Sequence, residues 1–214
     1  MTKFIRLSVF TLFSLMCIGV AFYAFYYLHQ QFNVNNPFHT KFAISGWVVP
    51  GHFFGAGLAL LLVPLQMSHR LRQWSAATHR TIGYLSVAAI LIGGVSGLIM
   101  AFDAHGGWVA GLGFGLLSVL WLTFTGNAIR HAIRGNIRLH QIWMYRSIAL
   151  TSAAITLRVF LGLGLGVLHL PFLTVYVPAA WLCWVVNLMI CELLLFYVVK
   201  RRPEYGFGKR LVSH

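Results

Sequence analysis

Six apolar runs, residues 7–28, 47–67, 82–102, 108–129, 147–168 and 176–199, take up more than half of this chain. Each is close to the roughly 20 residues that a helix needs to cross the hydrocarbon core of a bilayer. Inside lipid, backbone amides must be satisfied within their own segment, so runs of this kind read as helices. The loops between them are short and leave no room for a soluble domain. The expectation is one all-α transmembrane domain over residues 1–214, a polytopic bundle of six spans in a lipid bilayer. Charge supports this: 9% of the 214 residues are charged and the mean hydropathy is +0.78, against about 25% charged in soluble domains. The first run follows Lys3 and Arg6 as a secretory signal would. Its apolar stretch is longer than a signal core and no convincing A-x-A site follows, so it reads as an uncleaved anchor.

The formal charge of +13 would fit a nucleic-acid partner if it were spread over one surface. It is not. The basic residues fall into clusters at alternate span ends: Lys3 and Arg6; Arg70, Arg72 and Arg80; Arg130, Arg134, Arg138 and Arg146; and Lys200, Arg201, Arg202, Lys209 and Arg210. Of the 16, only Lys41 and Arg158 fall elsewhere. With six spans all four clusters share one face, which is the cytoplasmic one by the positive-inside rule. Both termini are therefore expected in the cytoplasm, and nucleic acid is excluded. Cys17, Cys183 and Cys191 all lie in apolar runs and read as small hydrophobes, with no disulfide or metal-site pair among them.

Small residues mark where the helices meet. Gly51-x-x-x-Gly55, Gly93-x-x-x-Gly97 and Gly111-x-x-x-Gly115 allow close backbone approach in spans two, three and four. Span one has no glycine seam and carries bulky Phe and Tyr, so it is placed at the periphery. Spans two to five form the inner group. Trp47, Trp108 and Trp181 lie near span ends, as interfacial belts do.

Ten histidines need an account in a chain this apolar. At 100° per residue, three fall on small or polar seams. Span two presents His52, Ala56, Ala59, Val63 and Gln66. A helix starting near Ser75, an acceptable N-cap, presents His79, Gly83, Ser86, Ile90, Gly93 and Gly97. Gly135-Asn136 breaks the chain, and the next helix presents His140, Met144, Ser147, Thr151, Ala154, Arg158 and Leu165. His79 and His140 then face the bundle interior at its cytoplasmic end. Neutral imidazole is a good iron ligand, and inward imidazoles near span ends are how helical bundles hold b-type haem. Arg80, Arg138 and Arg146 lie nearby in sequence and suit haem propionates. An outer haem would use His52 with His105 or His169. The competing reading gives His79 and His140 structural hydrogen bonds only, as expected for His29, His39, His69, His131 and His214 in the headgroup region.

Arg158 is the second feature. An arginine near mid-span costs about 2.5–3.5 kcal/mol to insert, so it should face inward and have a partner. By depth that partner is Glu192 or Asn187 of span six. This is either an anion or proton site or a buried structural pair. The sequence has no Gly-rich phosphate loop, G-x-S-x-G elbow or H-E-x-x-H helix. Two membrane acids are too few for the proton relay of a typical pump, and the halves show no internal symmetry of the inverted-repeat kind.

Pro50-Gly51-His52, a Pro64-Leu65-Gln66 turn, His79-Arg80-x-x-Gly83-Tyr84, Trp121-Leu122, His140-x-x-Trp143-Met144-x-Arg146-Ser147 and Thr156-Leu157-Arg158 occur together here. In this combination the chain resembles a family of bacterial predicted membrane proteins, the domain of unknown function numbered 2306. The resemblance covers roughly residues 47–158 and implies a multi-span bundle in a bacterial plasma membrane. It implies no activity. A looser similarity to di-haem cytochrome b-type bundles rests on His52, His79 and His140 alone. This chain lacks a clear fourth in-helix histidine, so the likeness does not extend to a second haem. The first functional expectation is a b-haem membrane redox protein, exchanging electrons between a quinone or partner and an acceptor. The alternatives are a non-redox protein binding a lipid, quinone or small anion at the Arg158 seam, or an accessory subunit packed against another membrane protein.

Overall fold

In a computed structural model, residues 3–29 and 45–201 are described, and they contain helices and loops but no strand. The helices are α1 (Lys3–His29), α2 (Val48–Met67), α3 (His69–Trp74), α4 (Ala76–Ala101), α5 (Gly107–Ile133), α6 (Ile137–Thr151), α7 (Ala153–Leu161) and α8 (Phe172–Arg201). A π-helical turn, Gly162–Val167, continues α7. Six stretches are long and apolar enough to cross a membrane: Phe4–His29, Val48–Met67, Ala76–Ala101, Gly107–Ile133, Ile137–Val167 and Phe172–Tyr197. His39, Lys41, His214 and the basic tail after Arg201 lie outside the described residues.

Local chemistry sets the span starts. The hydroxyl of Ser75 accepts from the Thr78 amide at 3.1 Å and caps α4. The side chain of Asn136 accepts from the Leu139 amide at 3.2 Å and caps α6, after Gly135 turns the chain at φ +70°. The Ser75 cap and the break at Gly135-Asn136 are as the sequence leads one to expect, the Asn136 cap is a further finding, and together they bring His79 and His140 inside helices. The short α3, capped by Ser68, is too brief for a periodic pattern to reveal. Pro64 was expected in a turn, yet it sits within α2. A proline three residues before a helix end breaks only one ladder bond, which the neighbouring helices tolerate.

Helices α2, α4, α5 and α6 form a ring, with α2 on α4, α4 on α5 and α5 on α6, and a thinner contact closing α6 on α2. Helices α4 and α6 are diagonal; among the described residues no Cα of one comes within 8 Å of the other. Helix α8 lies outside the α5–α6 edge and also packs on α7, while α1 packs on α2 and touches α7. The α2–α4 crossing is the tightest. A Cβ on Gly55 would fall 2.5 Å from the Gly93 amide nitrogen, and one on Gly93 would fall 2.7 Å from that of Ala56.

The core joins five of the spans through Ala59, Ala89, Ile90, Trp121, Leu150, Ala153, Cys183 and Trp184. Span one is peripheral as expected, but it does have a seam. Cys17, Ala21 and Ala24 are buried on one face, with Ala24 against Gly57. Small side chains other than glycine make that contact. Trp47 and Trp108 are exposed near span ends. Trp181 instead turns inward, and its indole N–H donates to the Val109 carbonyl at 3.0 Å. An indole needs a partner when buried, and the adjacent helix supplies it.

A histidine pair and a polar seam

The three seams read from the sequence meet in space. Ala59, Val63 and Gln66 of α2, Ser86 and Ile90 of α4, and Met144, Ser147, Ile148 and Thr151 of α6 line one cavity of about 20 Å³. That is room for one water, within walls that are mostly apolar. On one side a hydroxyl ladder ties α5 to α6. The Trp121 indole donates to Thr151 Oγ1 at 2.9 Å. Thr151 donates to the Ser147 carbonyl at 2.9 Å, and Thr125 donates to the Trp121 carbonyl at 2.8 Å. Thr125 has then used its one proton, so in its 2.7 Å contact with Ser147 the Ser147 hydroxyl donates.

His79 and His140 stand above this cavity, at the first turns of the diagonal helices α4 and α6, near enough to feel each other electrostatically. His140 Nδ1 lies 2.9 Å from the Ala128 carbonyl. A carbonyl only accepts, so Nδ1 carries a proton, and in the neutral ring Nε2 then keeps its lone pair. His79 Nδ1 is buried and without a hydrogen-bond partner among the described residues. Below it Gln66 donates to the His79 carbonyl at 3.1 Å and braces the start of α4. Of the arginines named for propionates, Arg80 is exposed on the next face of α4. Arg146 is engaged elsewhere, and Arg72 of α3 is the cation within electrostatic reach of His79.

His52 repeats the His140 arrangement at the opposite end. Its Nδ1 donates to the Gly93 carbonyl at 2.8 Å, with Gly97 and the Ser118 hydroxyl close by. Its expected companions are not there. His105 packs edge-on against Phe172 and Tyr176 of α8, and His169 is exposed beyond the π turn. Ser96 Oγ, also in this half, is buried without a partner among the described residues.

The expected pairing of Arg158 with Glu192 or Asn187 is overturned. Glu192 is held by Arg146, through Nε and Nη2 onto its two oxygens. Asn187 accepts from Thr156 at 2.9 Å and donates to the Ala149 carbonyl at 3.1 Å, bracketing the break between α6 and α7. Arg158 donates Nη1 to the Ala154 carbonyl at 2.9 Å and lies 5.0 Å over the ring of Tyr23. Tyr23 escaped the sequence reading because span one was set aside as a peripheral helix.

The family model for "Predicted membrane protein (DUF2306)" matches residues 49–195, from the first turn of α2 to the last turns of α8. The chain belongs to the DUF2306 family. It is a multi-pass membrane protein, and His52, His79, His140, Arg158 and Glu192 all lie inside the family's shared region. No curated protein and no solved structure matches the chain.

No group of three or more His, Cys, Asp or Glu among the described residues can hold a bare metal ion.

Proposed function

We propose that this protein is a b-haem membrane redox protein of a bacterial plasma membrane, with its basic end in the cytoplasm. The observation that carries the reading is the His79–His140 pair. Two imidazoles start diagonal helices at one end of the bundle, one with Nδ1 donating to a carbonyl, which in the neutral ring frees Nε2, the other with a buried Nδ1 that has no partner among the described residues. Metal-ligating histidines commonly have their second nitrogen fixed in this way. A bound haem supplies a one-electron couple. The chain would hold it by the imidazoles of His79 and His140, with the cations Arg72 and Arg80 for the propionates and an apolar wall against water.

The cavity between α2, α4 and α6 is about 20 Å³, one water wide, so the packing leaves no open porphyrin slot. A haem held between the diagonal helices α4 and α6 would require flexible side chains, Gln66 and Met144 foremost, to give way. A quinone or another membrane protein is the electron partner.

Haem content tests this. Protein expressed with a haem precursor supplied and purified in detergent should give about one haem b per chain by pyridine haemochrome assay. Haem-free protein under those conditions would end the reading. Orientation is tested separately by reporter fusions in the Ser68–Ser75 segment, which should report a cytoplasmic location.

A further inference from the structure

Arg158 lies about two and a half turns, roughly 14 Å of helix, before span five ends at Val167. A guanidinium at such depth needs a counter-charge or a full set of acceptors. Among the described residues it has neither. Nη1 reaches the Ala154 carbonyl, the face covers Tyr23, and Nε is buried with no partner among those residues. No carboxylate of the described residues hydrogen-bonds to it, and Glu192 is taken by Arg146.

The free edge has a definite shape. With Nη1 on Ala154, what is left is the Nε–Nη2 side, two parallel N–H groups that match the two oxygens of a carboxylate or phosphate. Arg146, three turns earlier in the same span, uses that same edge to grip Glu192. Arg158 presents the fork, and the described residues provide nothing to fill it. His52 is within electrostatic reach, and Tyr23 of α1 lies against the guanidinium face.

We propose that the Nε–Nη2 edge of Arg158 binds an oxyanion, a phosphate or carboxylate group, between α1, α2 and α7 in the half of the bundle remote from the His79–His140 pair. Two sources share this chemistry: the headgroup phosphate of a lipid entering beside α1, or a free oxyanion. The site is independent of the haem reading, because it shares no residue with it.

The test uses delipidated full-length protein in a neutral maltoside. One arm titrates inorganic phosphate and acetate by calorimetry; the other adds phosphatidylglycerol and counts retained molecules by native mass spectrometry. Wild type should bind one equivalent in at least one arm, and the arm that responds identifies the source. Arg158→Gln should weaken that binding about tenfold or more, the scale of a charge-assisted fork. Arg158→Lys keeps the charge and loses the fork, so it should weaken binding about threefold or more. It also decides the matter if Arg158→Gln does not accumulate. Arg134→Gln, an exposed cation at the other end, should bind like wild type. No binding of any probe to wild type, or equal binding in wild type and the Arg158 variants, would overturn the proposal.

Discussion

Arg146 and Glu192 close a two-point fork between spans five and six, Nε and Nη2 of the arginine meeting both carboxylate oxygens, the second at 2.9 Å. The arginine also lies 4.7 Å over the Trp143 ring. The pair is a quarter and a half exposed at its two ends, so its worth is discounted from that of a buried pair. Glu192→Leu should cost about 1 kcal/mol, the range of polar contacts between membrane helices. Arg146→Leu combined with Glu192→Leu should recover most of it, because no unpaired charge is left. Thermal unfolding in detergent checks both; additive losses in the double variant would contradict the pairing.

Backbone contact between α2 and α4 makes Gly55 and Gly93 intolerant of a methyl group. A Cβ at either would press on backbone atoms, which cannot rotate away. Gly55→Ala or Gly93→Ala should cost about 3 kcal/mol, or roughly 6–12 °C in Tm for a chain of this size. Gly126→Ala, where nothing lies within 4 Å, should leave Tm unchanged or raise it. A Gly93→Ala protein as stable as wild type would show that the two helices do not cross this closely.

The hydroxyl ladder predicts a coupling. Thr151→Val keeps the shape and removes the acceptor of the Trp121 indole, while Trp121→Phe removes the donor. Each should destabilise, and the double-mutant cycle should return a coupling of about 1 kcal/mol. A cycle that closes at zero would mean that the indole bonds elsewhere.

Much of the bundle was legible because its determinants are local. Ser75 and Asn136 act within three residues, and counting 100° per residue put His79, Ser86 and Ile90 on one face and His140, Ser147 and Thr151 on another. Small-residue spacing found the α2–α4 crossing. What was missed depended on direction around a helix rather than depth along it. Glu192 was matched to Arg158 by depth, although Arg146 stands at its level on the face turned to α8. Cys17, Ala21 and Ala24 form a packing face without glycine, so glycine spacing does not reveal it. The Arg158 site draws on α1, α2 and α7 together, and no single run of sequence contains it.

The account turns on whether His79 and His140 are ligands to the same iron. Reduced-minus-oxidised spectra of the purified wild type, His79→Ala, His140→Ala and His131→Ala proteins decide it, with gel filtration to show that each is folded. The predicted result is the sharp α-band of a bis-imidazole haem in wild type and His131→Ala, lost in both of the other variants. A wild type with no such band, or a band that survives removal of either His79 or His140, would contradict it.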